Sequence, residues 1–165
     1  VNDVSGLGWD PLSAGVVAAA GVPVVLMHHH GDPTTMQDAP RYGDVLVEVY
    51  EWLEERVAAA EAAGIERSKI LVDPGIGFGK SVAHNLELLR RQRELLALGR
   101  PLLVGWSRKS TLGAITGRAV GERLTASVVA ALAAVQSGAA IVRVHDVAAT
   151  VDALKVWRAA GLANG

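Results

Sequence analysis

The sequence predicts a parallel α/β fold of five βα units, either a doubly wound sheet or part of an eight-stranded βα barrel. Short apolar runs rich in Val, Ile and Leu alternate with helical segments across the chain. The runs are apolar at successive positions, as strands buried on both faces are, and that is the habit of parallel sheets. Repeated βα units with short loops also imply a parallel sheet. A complete barrel needs about 250 residues, whereas this chain has 165. It opens on VNDV, already strand-like, which favours the last five units of a barrel. The expectation is a single, N-terminally incomplete domain over residues 1–165.

The elements follow in order. VNDV at 1–4 is the shortest strand candidate, and residues 11–20 form a weak helix. Val22–Met27 is the second strand. A long polar stretch follows at 29–43, HHGDPTTMQDAPRYG, and long loops in compact domains are often functional. Residues 44–63 place Val45, Val49, Leu53, Val57 and Ala60 on one helical stripe, and Gly64 ends that helix. Ile70–Val72 is the third strand. The next helix is expected over 82–98, with Leu86, Leu89, Arg93 and Leu96 on its stripe and Gly99 at its end. Pro101–Trp106 is the fourth strand, and SRKS at 107–110 opens a loop. A helix over 121–137, a strand over Ala140–Val144 and a helix over 149–160 complete the chain.

Composition removes several functions. The 16 Lys and Arg balance 17 Asp and Glu for a net charge of −1, which gives no footprint for nucleic acid or a membrane surface. No cysteine is present, so thiolate and disulfide chemistry are excluded. The apolar stretch at 126–142 is shorter than the roughly 20 residues a membrane span needs, and Gln136-Ser137-Gly138 breaks it. A cytoplasmic location is expected.

The stretch DPGIGFGK at 73–80 looks like a phosphate loop, but the spacing is wrong. Counting back from Gly79-Lys80 puts Pro74 where a P-loop's first glycine should stand. Lys80 occupies the third glycine's place in a dinucleotide fingerprint. His28-His29-His30 invites a zinc reading, yet neighbouring strand residues point to opposite faces and neither cysteine nor HExxH accompanies them. That run reads as a polar strand end entering a loop.

The strand ends carry the chemistry. In barrels and doubly wound sheets alike, ligands bind beyond the carboxyl ends of the strands. Here those ends hold Asn2-Asp3, His28, Asp73, Ser107-Arg108-Lys109, and Arg143 with His145-Asp146. An amide and a carboxylate, Asn2 and Asp73, suit a heterocycle edge with donors and acceptors. Lys109, Arg143 and His145 are cationic donors suited to phosphate. Arg143 and His145 are two apart on a strand and share a face.

Together, VNDVSG at 1–6, LMH at 26–28, DPGIGFGK at 73–80 with HNLELL at 84–89, LLVGWSRKS at 102–110 and RVHDV at 143–147 resemble dihydropteroate synthase. The resemblance implies the fourth to eighth strands of a TIM-type (β/α)8 barrel. It implies a transferase of folate biosynthesis and sulfonamide target, joining 7,8-dihydropterin pyrophosphate to p-aminobenzoate with release of pyrophosphate. By that resemblance Asn2 and Asp73 hold the pterin ring, and Met27, Gly77 and Phe78 pack around the substrates. Lys109 bridges the two substrate sites, and Ser107, with Arg108, lies near the p-aminobenzoate carboxylate. Arg143 and His145 bind the leaving pyrophosphate, so that Asp73, Lys109, Arg143 and His145 form the catalytic set. The glycines of 73–80 would let backbone approach a flat ring. The resemblance also implies Mg²⁺ and a homodimer. The family's asparagine metal ligand, its threonine-arginine mobile loop and a second pterin-binding aspartate belong to the first three strands, so no metal ligand is expected in this chain. His29-His30 departs from the family's usual Met-Arg pair. Two readings compete: a methyltetrahydrofolate methyltransferase, which needs neither SRKS nor the Arg-x-His pair, and a non-catalytic pterin-binding module.

Overall fold

The computed structural model describes residues 1–31 and 40–162. Most of the polar stretch 29–43 therefore lies outside the described residues. The elements are β1 (Asn2–Asp3), α1 (Ser13–Ala20), β2 (Val24–Met27), α2 (Val45–Ala62), β3 (Ile70–Asp73), α3 (Val82–Arg90), β4 (Leu103–Val104), α4 (Ser110–Thr116), α5 (Leu124–Gln136), β5 (Ile141–Val142) and α6 (Val147–Ala159). Among the described residues no helix is long and apolar enough to cross a membrane.

All paired strands are parallel. β1, β2 and β3 form one ribbon and β4 with β5 another. Among the described residues one bridge, Val72 to Leu102, joins the two, supported by the Val72 N–H donating to the Pro101 carbonyl at 3.1 Å. The spatial order is thus sequential, with no reversal about a switch point. That is the arc of a barrel and excludes the doubly wound alternative.

Register assigns the faces. Asn2 is level with Val25 and Leu71, and Met27 with Asp73. Side chains alternate along strands, so these five share one face. Val24, Leu26, Ile70 and Val72 share the other, and all four are completely buried. They form one core with Val49, Leu53 and Val57 of α2, and with Leu88 and Leu95. This outer, helix-covered face is the hydrophobic core, and the inner face carries the polar residues.

Local signals explain most helices. Asp44 caps α2 by accepting from Leu46 and Val47 N–H at 2.9 and 3.1 Å. The predicted α2 stripe is buried throughout. Ser81 and His84 form a reciprocal capping box at the start of α3. The single helix expected over 82–98 is instead α3 followed by a 3₁₀ segment at Gln92–Leu98. Its buried positions are Asn85, Leu88, Gln92, Leu95 and Leu98, one step round from the predicted stripe. The reason is Gln92. Its buried amide donates to Ala134 and Ser137 carbonyls at 2.8 and 3.1 Å, closing the end of α5. Helix α4 was expected to be loop. Its sequence, STLGAIT, has weak helix propensity, and tertiary contacts decide. Thr111 and Leu112 are buried, and Thr111 Oγ1 accepts from Asn85 Nδ2 at 2.9 Å.

Candidate active site

The site is built where β3, β4 and β5 end. Asp73 closes β3 and is only 1% exposed. Its Oδ1 accepts from Gly75 N–H at 2.8 Å. Its Oδ2 is buried and has no hydrogen-bond partner. The Arg143 guanidinium stands 3.7 Å from that oxygen, an ion pair and not a hydrogen bond. Burial pushes the Asp73 carboxyl above its ordinary range. The Gly75 bond and the charges of Arg143, Lys80 and Lys109 pull the other way.

Lys109 and Phe78 complete this corner. The Lys109 Nζ lies 4.2 Å from the Phe78 ring centroid, a cation–π contact. Burial holds the Lys109 ammonium below its usual value, and Arg143 adds to that. Gly77 packs against the Lys109 stem, since a Cβ there would sit 3.1 Å from Lys109 Cδ. The Gly77 N–H donates to buried Asn85 Oδ1 at 2.9 Å. Gly75 is more constrained. It has φ +67°, and a Cβ would run into the His28 carbonyl oxygen. The protein's own packing thus gives a further reason for bare backbone at Gly75, beside the ring approach expected from the sequence.

The inner-face alternation continues past the last paired residues. Gly105 follows Val104 and leaves room for Arg143, whose Nη2 would be 3.1 Å from a Cβ at that position. One step further, Ser107 Oγ accepts from His145 N–H at 3.1 Å and lies 2.9 Å from His145 Nδ1. By this alternation Arg143 and His145 belong to the same, inner face. Ser107 is buried and engaged with His145.

Other predicted residues are placed differently. Arg108 turns away with φ +59° and pairs with Asp146 at 2.7 Å, leaving Lys109 as the member of SRKS on the site. Asn2 is exposed on the inner face, one step below the level of Met27 and Asp73. Asp3 is committed to its own turn, accepting from Ser5 and Leu7 N–H at 2.8 and 3.0 Å. Met27 is completely buried on β2, level with Asp73. An apolar cavity of 660 Å³ between α3, α4 and α5 lies on the opposite, outer side, lined by Leu86, Trp106 and Val129 among others.

Sequence reasoning missed Lys80 and the role of His28. Both are buried, with Lys80 Nζ 2.8 Å from His28 Nδ1. Burial, with Lys80 and then His29 and His30 adding to it, pushes the His28 imidazole from 6.5 down to about 2. The folded chain therefore keeps His28 neutral where the unfolded chain protonates it. Stability from this group is full above pH 6.5 and is lost as pH falls towards about 2. Urea unfolding across pH 7 to 4 should show that loss, at up to about 1.4 kcal/mol per pH unit, and His28→Gln should flatten it. An unchanged slope in the variant would reject the assignment.

The comparisons agree with this geometry. The family described as pterin binding enzyme matches residues 1–145. The dihydropteroate synthase of Escherichia coli K12 is 46% identical over 159 residues, covering 96% of this chain and 56% of that protein. The solved dihydropteroate synthase of Stenotrophomonas maltophilia, with imidazole in its active site, is 54% identical with a TM-score of 0.94, covering 97% of this chain and 60% of that one. A dihydropteroate synthase structure from Xanthomonas albilineans with 4-aminobenzoic acid is 51% identical with a TM-score of 0.91, over 97% of this chain and 56% of that one. Another from that organism, holding 7,8-dihydropteroate, is 50% identical with a TM-score of 0.90, over 97% and 58%. The chain spans a little over half the length of these relatives. It is a five-strand arc of the barrel they share, and it belongs to the pterin-binding enzyme family.

Proposed function

We propose that this chain carries the pterin-anchoring and pyrophosphate-side half of a dihydropteroate synthase site. The reaction condenses 6-hydroxymethyl-7,8-dihydropterin pyrophosphate with p-aminobenzoate to 7,8-dihydropteroate. The observation that carries the reading is the Asp73 Oδ2, a buried acceptor that no group hydrogen-bonds. A buried polar atom of that kind is destabilising until something donates to it, and the amino-pyrimidine edge of a pterin offers N–H donors. The similarity to enzymes solved with 4-aminobenzoic acid and with 7,8-dihydropteroate supports the same substrates here.

In this reading the C–O bond between the pterin methylene and the pyrophosphate breaks, and its electron pair leaves with the oxygen. The aniline nitrogen then bonds to the methylene carbon and gives up a proton to solvent or to the pyrophosphate. Charge grows on the leaving group and on the ring. Arg143 and His145 donate to the former, with His145 oriented by Ser107. Asp73 faces the latter, and such preorganised charge is effective where water is excluded. Lys109, against Phe78, sits between the two. The reading keeps the Mg²⁺ that the resemblance implies, whose family ligand is an asparagine of the first three strands, and Mg²⁺ is commonly held by one or two protein ligands together with substrate phosphates. Among the described residues no group of three or more His, Cys, Asp or Glu could hold a metal ion. No step here is routed through one.

The reading keeps a cytoplasmic location and a homodimer. Exposed Val129 on α5 and Val151 and Val156 on α6 support self-association. Calorimetric titration with the pterin pyrophosphate and then p-aminobenzoate, followed by chromatography for dihydropteroate, tests the function. Turnover supports the synthase, and binding without turnover supports a pterin-binding module. Absence of pterin binding overturns both. Arg143→Ala should weaken the pyrophosphate-bearing pterin about 10-fold or more, as loss of a charged hydrogen bond does. It should weaken 6-hydroxymethylpterin less. Equal loss for both ligands would reject the division of roles.

A further inference from the structure

We propose that Lys80 is a positioning residue of this site, whose enclosed ammonium ties the 73–80 turn to the end of β2 and serves as the fixed counter-charge of Asp73. Lysine is almost never fully buried unless it is paired, and Lys80 is only 3% exposed. Its Nζ lies 2.8 Å from His28 Nδ1, 3.0 Å from the Gly75 carbonyl and 3.1 Å from the Phe78 carbonyl. An ammonium has three N–H donors and no acceptor. These three acceptors use all of them, and His28 must carry its own proton on Nε2. Two of the acceptors belong to the turn after Asp73, and the third comes from the residue just after β2. Lys80 therefore fixes that turn, and with it Phe78, against the neighbouring strand.

The electrostatic part follows from Gly75. Its N–H donates to Asp73 Oδ1 at 2.8 Å, and its carbonyl accepts from Lys80. Carboxylate, peptide and ammonium are linked through one residue. Three cations act on Asp73: Lys109 from the turn after β4, Arg143 from the end of β5, and Lys80. His28, just after β2, faces Lys80 and is neutral. Arg143 and Lys109 stand on the accessible side, where an incoming pyrophosphate would engage them. Lys80 is sealed behind the turn and cannot be drawn away. It alone of the three offers Asp73 an amino group whose position is fixed by the protein itself. Burial lowers Lys80 to about 7, with Asp73 opposing and Lys109 reinforcing that shift, so its charge is itself sensitive near neutrality.

The ligand in this inference rests on the pterin reading, whereas the link between Lys80 and Asp73 does not. The test is a titration of the Asp73 carboxyl carbon by NMR in the full chain, native and Lys80→Gln. Glutamine keeps N–H donors for the turn carbonyls and removes the charge. The Asp73 midpoint is expected to rise by about one pH unit or more, a tenfold or greater gain in proton affinity. A purely structural lysine would lower the melting temperature and leave that midpoint in place, and such a result in a folded Lys80→Gln would overturn the proposal. If Lys80→Gln does not fold, the native chain decides. Its Asp73 resonance must show a second inflection at the pH where Lys80 loses its proton, and a curve without one overturns the proposal. Fluorescence titration with 6-hydroxymethylpterin at pH 7 should then show binding weakened about 10-fold or more by Lys80→Gln. A shifted Asp73 midpoint in a protein whose native form binds no pterin would keep the Lys80 assignment and remove the ligand. A shifted midpoint with unweakened pterin binding would overturn the positioning role.

Discussion

Asp73→Asn will weaken binding of 6-hydroxymethylpterin about 10- to 100-fold and will leave the chain at least as stable at neutral pH. The binding loss comes from one oxygen. In the native site Oδ2 is the acceptor that no group hydrogen-bonds, and asparagine puts an NH₂ or a neutral carbonyl in its place. A hydrogen bond to a charged group is worth roughly 1.5–3 kcal/mol, which sets the range of affinity loss. The stability result comes from burial. Because the Asp73 carboxyl is raised above its ordinary value, the folded chain holds that proton more tightly than the unfolded chain. The associated stability is full below the ordinary aspartate range and is lost as pH rises through the raised value. Above that raised value the folded chain carries an ionised group in a poorly solvated place, and a neutral side chain relieves it. Ligand titration and urea unfolding of the same samples separate the two effects. Undiminished binding would remove Asp73 from the ring site. A clear drop in stability would mean that Arg143, Lys80 and Lys109 outweigh burial.

Gly75→Ala will destabilise the chain by about 2–5 kcal/mol. Two effects add. A left-handed backbone disfavours any Cβ by about 1–2 kcal/mol, and Gly75 has φ +67°. Forcing an atom into packed surroundings adds about 1–3 kcal/mol. Here the obstacle is the His28 carbonyl, on a backbone fixed by the His28 N–H donating to the Asp73 carbonyl at 2.9 Å. No flexible side chain can yield. Gly117 supplies the comparison, with φ +70° and nothing within 4 Å of the added atom. Gly117→Ala should show only the backbone part, about 1–2 kcal/mol. Urea unfolding of both variants measures the difference. Equal losses would mean that the turn moves off β2 to absorb the methyl group.

What the sequence revealed, and what it hid, has a common physical basis. Parallel strands bring their carboxyl ends to one rim whatever lies between them, so Asp73, Lys109 and Arg143 could be grouped from order alone. The period of two also placed Arg143 and His145 on one face without knowledge of either side chain's partner. Direction within a tight turn is another matter. Arg108 and Lys109 are adjacent and equally cationic, yet one backbone angle sends Arg108 to Asp146 and leaves Lys109 over Phe78. Lys80 ends the most recognisable stretch of the chain, but its meaning depends on His28, 52 residues earlier. Its one local hint was that two of its acceptors lie in the same glycine-rich turn. The helix at 110–116 escaped because contacts from Asn85 and the core, and not its own residues, hold it.

The bridge between Val72 and Leu102 acquires a further meaning once the side chains are assigned to its two sides. Asp73 and Phe78 belong to one ribbon, and Lys109, Arg143 and His145 to the other. The junction is therefore a seam through the middle of the site, and any ligand that touches Asp73 and Arg143 together staples it from above. The Val72 amide, which donates across it to Pro101, should exchange with deuterium faster than its neighbours within β3. Ligand binding should slow that exchange more than it slows amides buried under α2, so one backbone proton would report occupancy of a site it never touches.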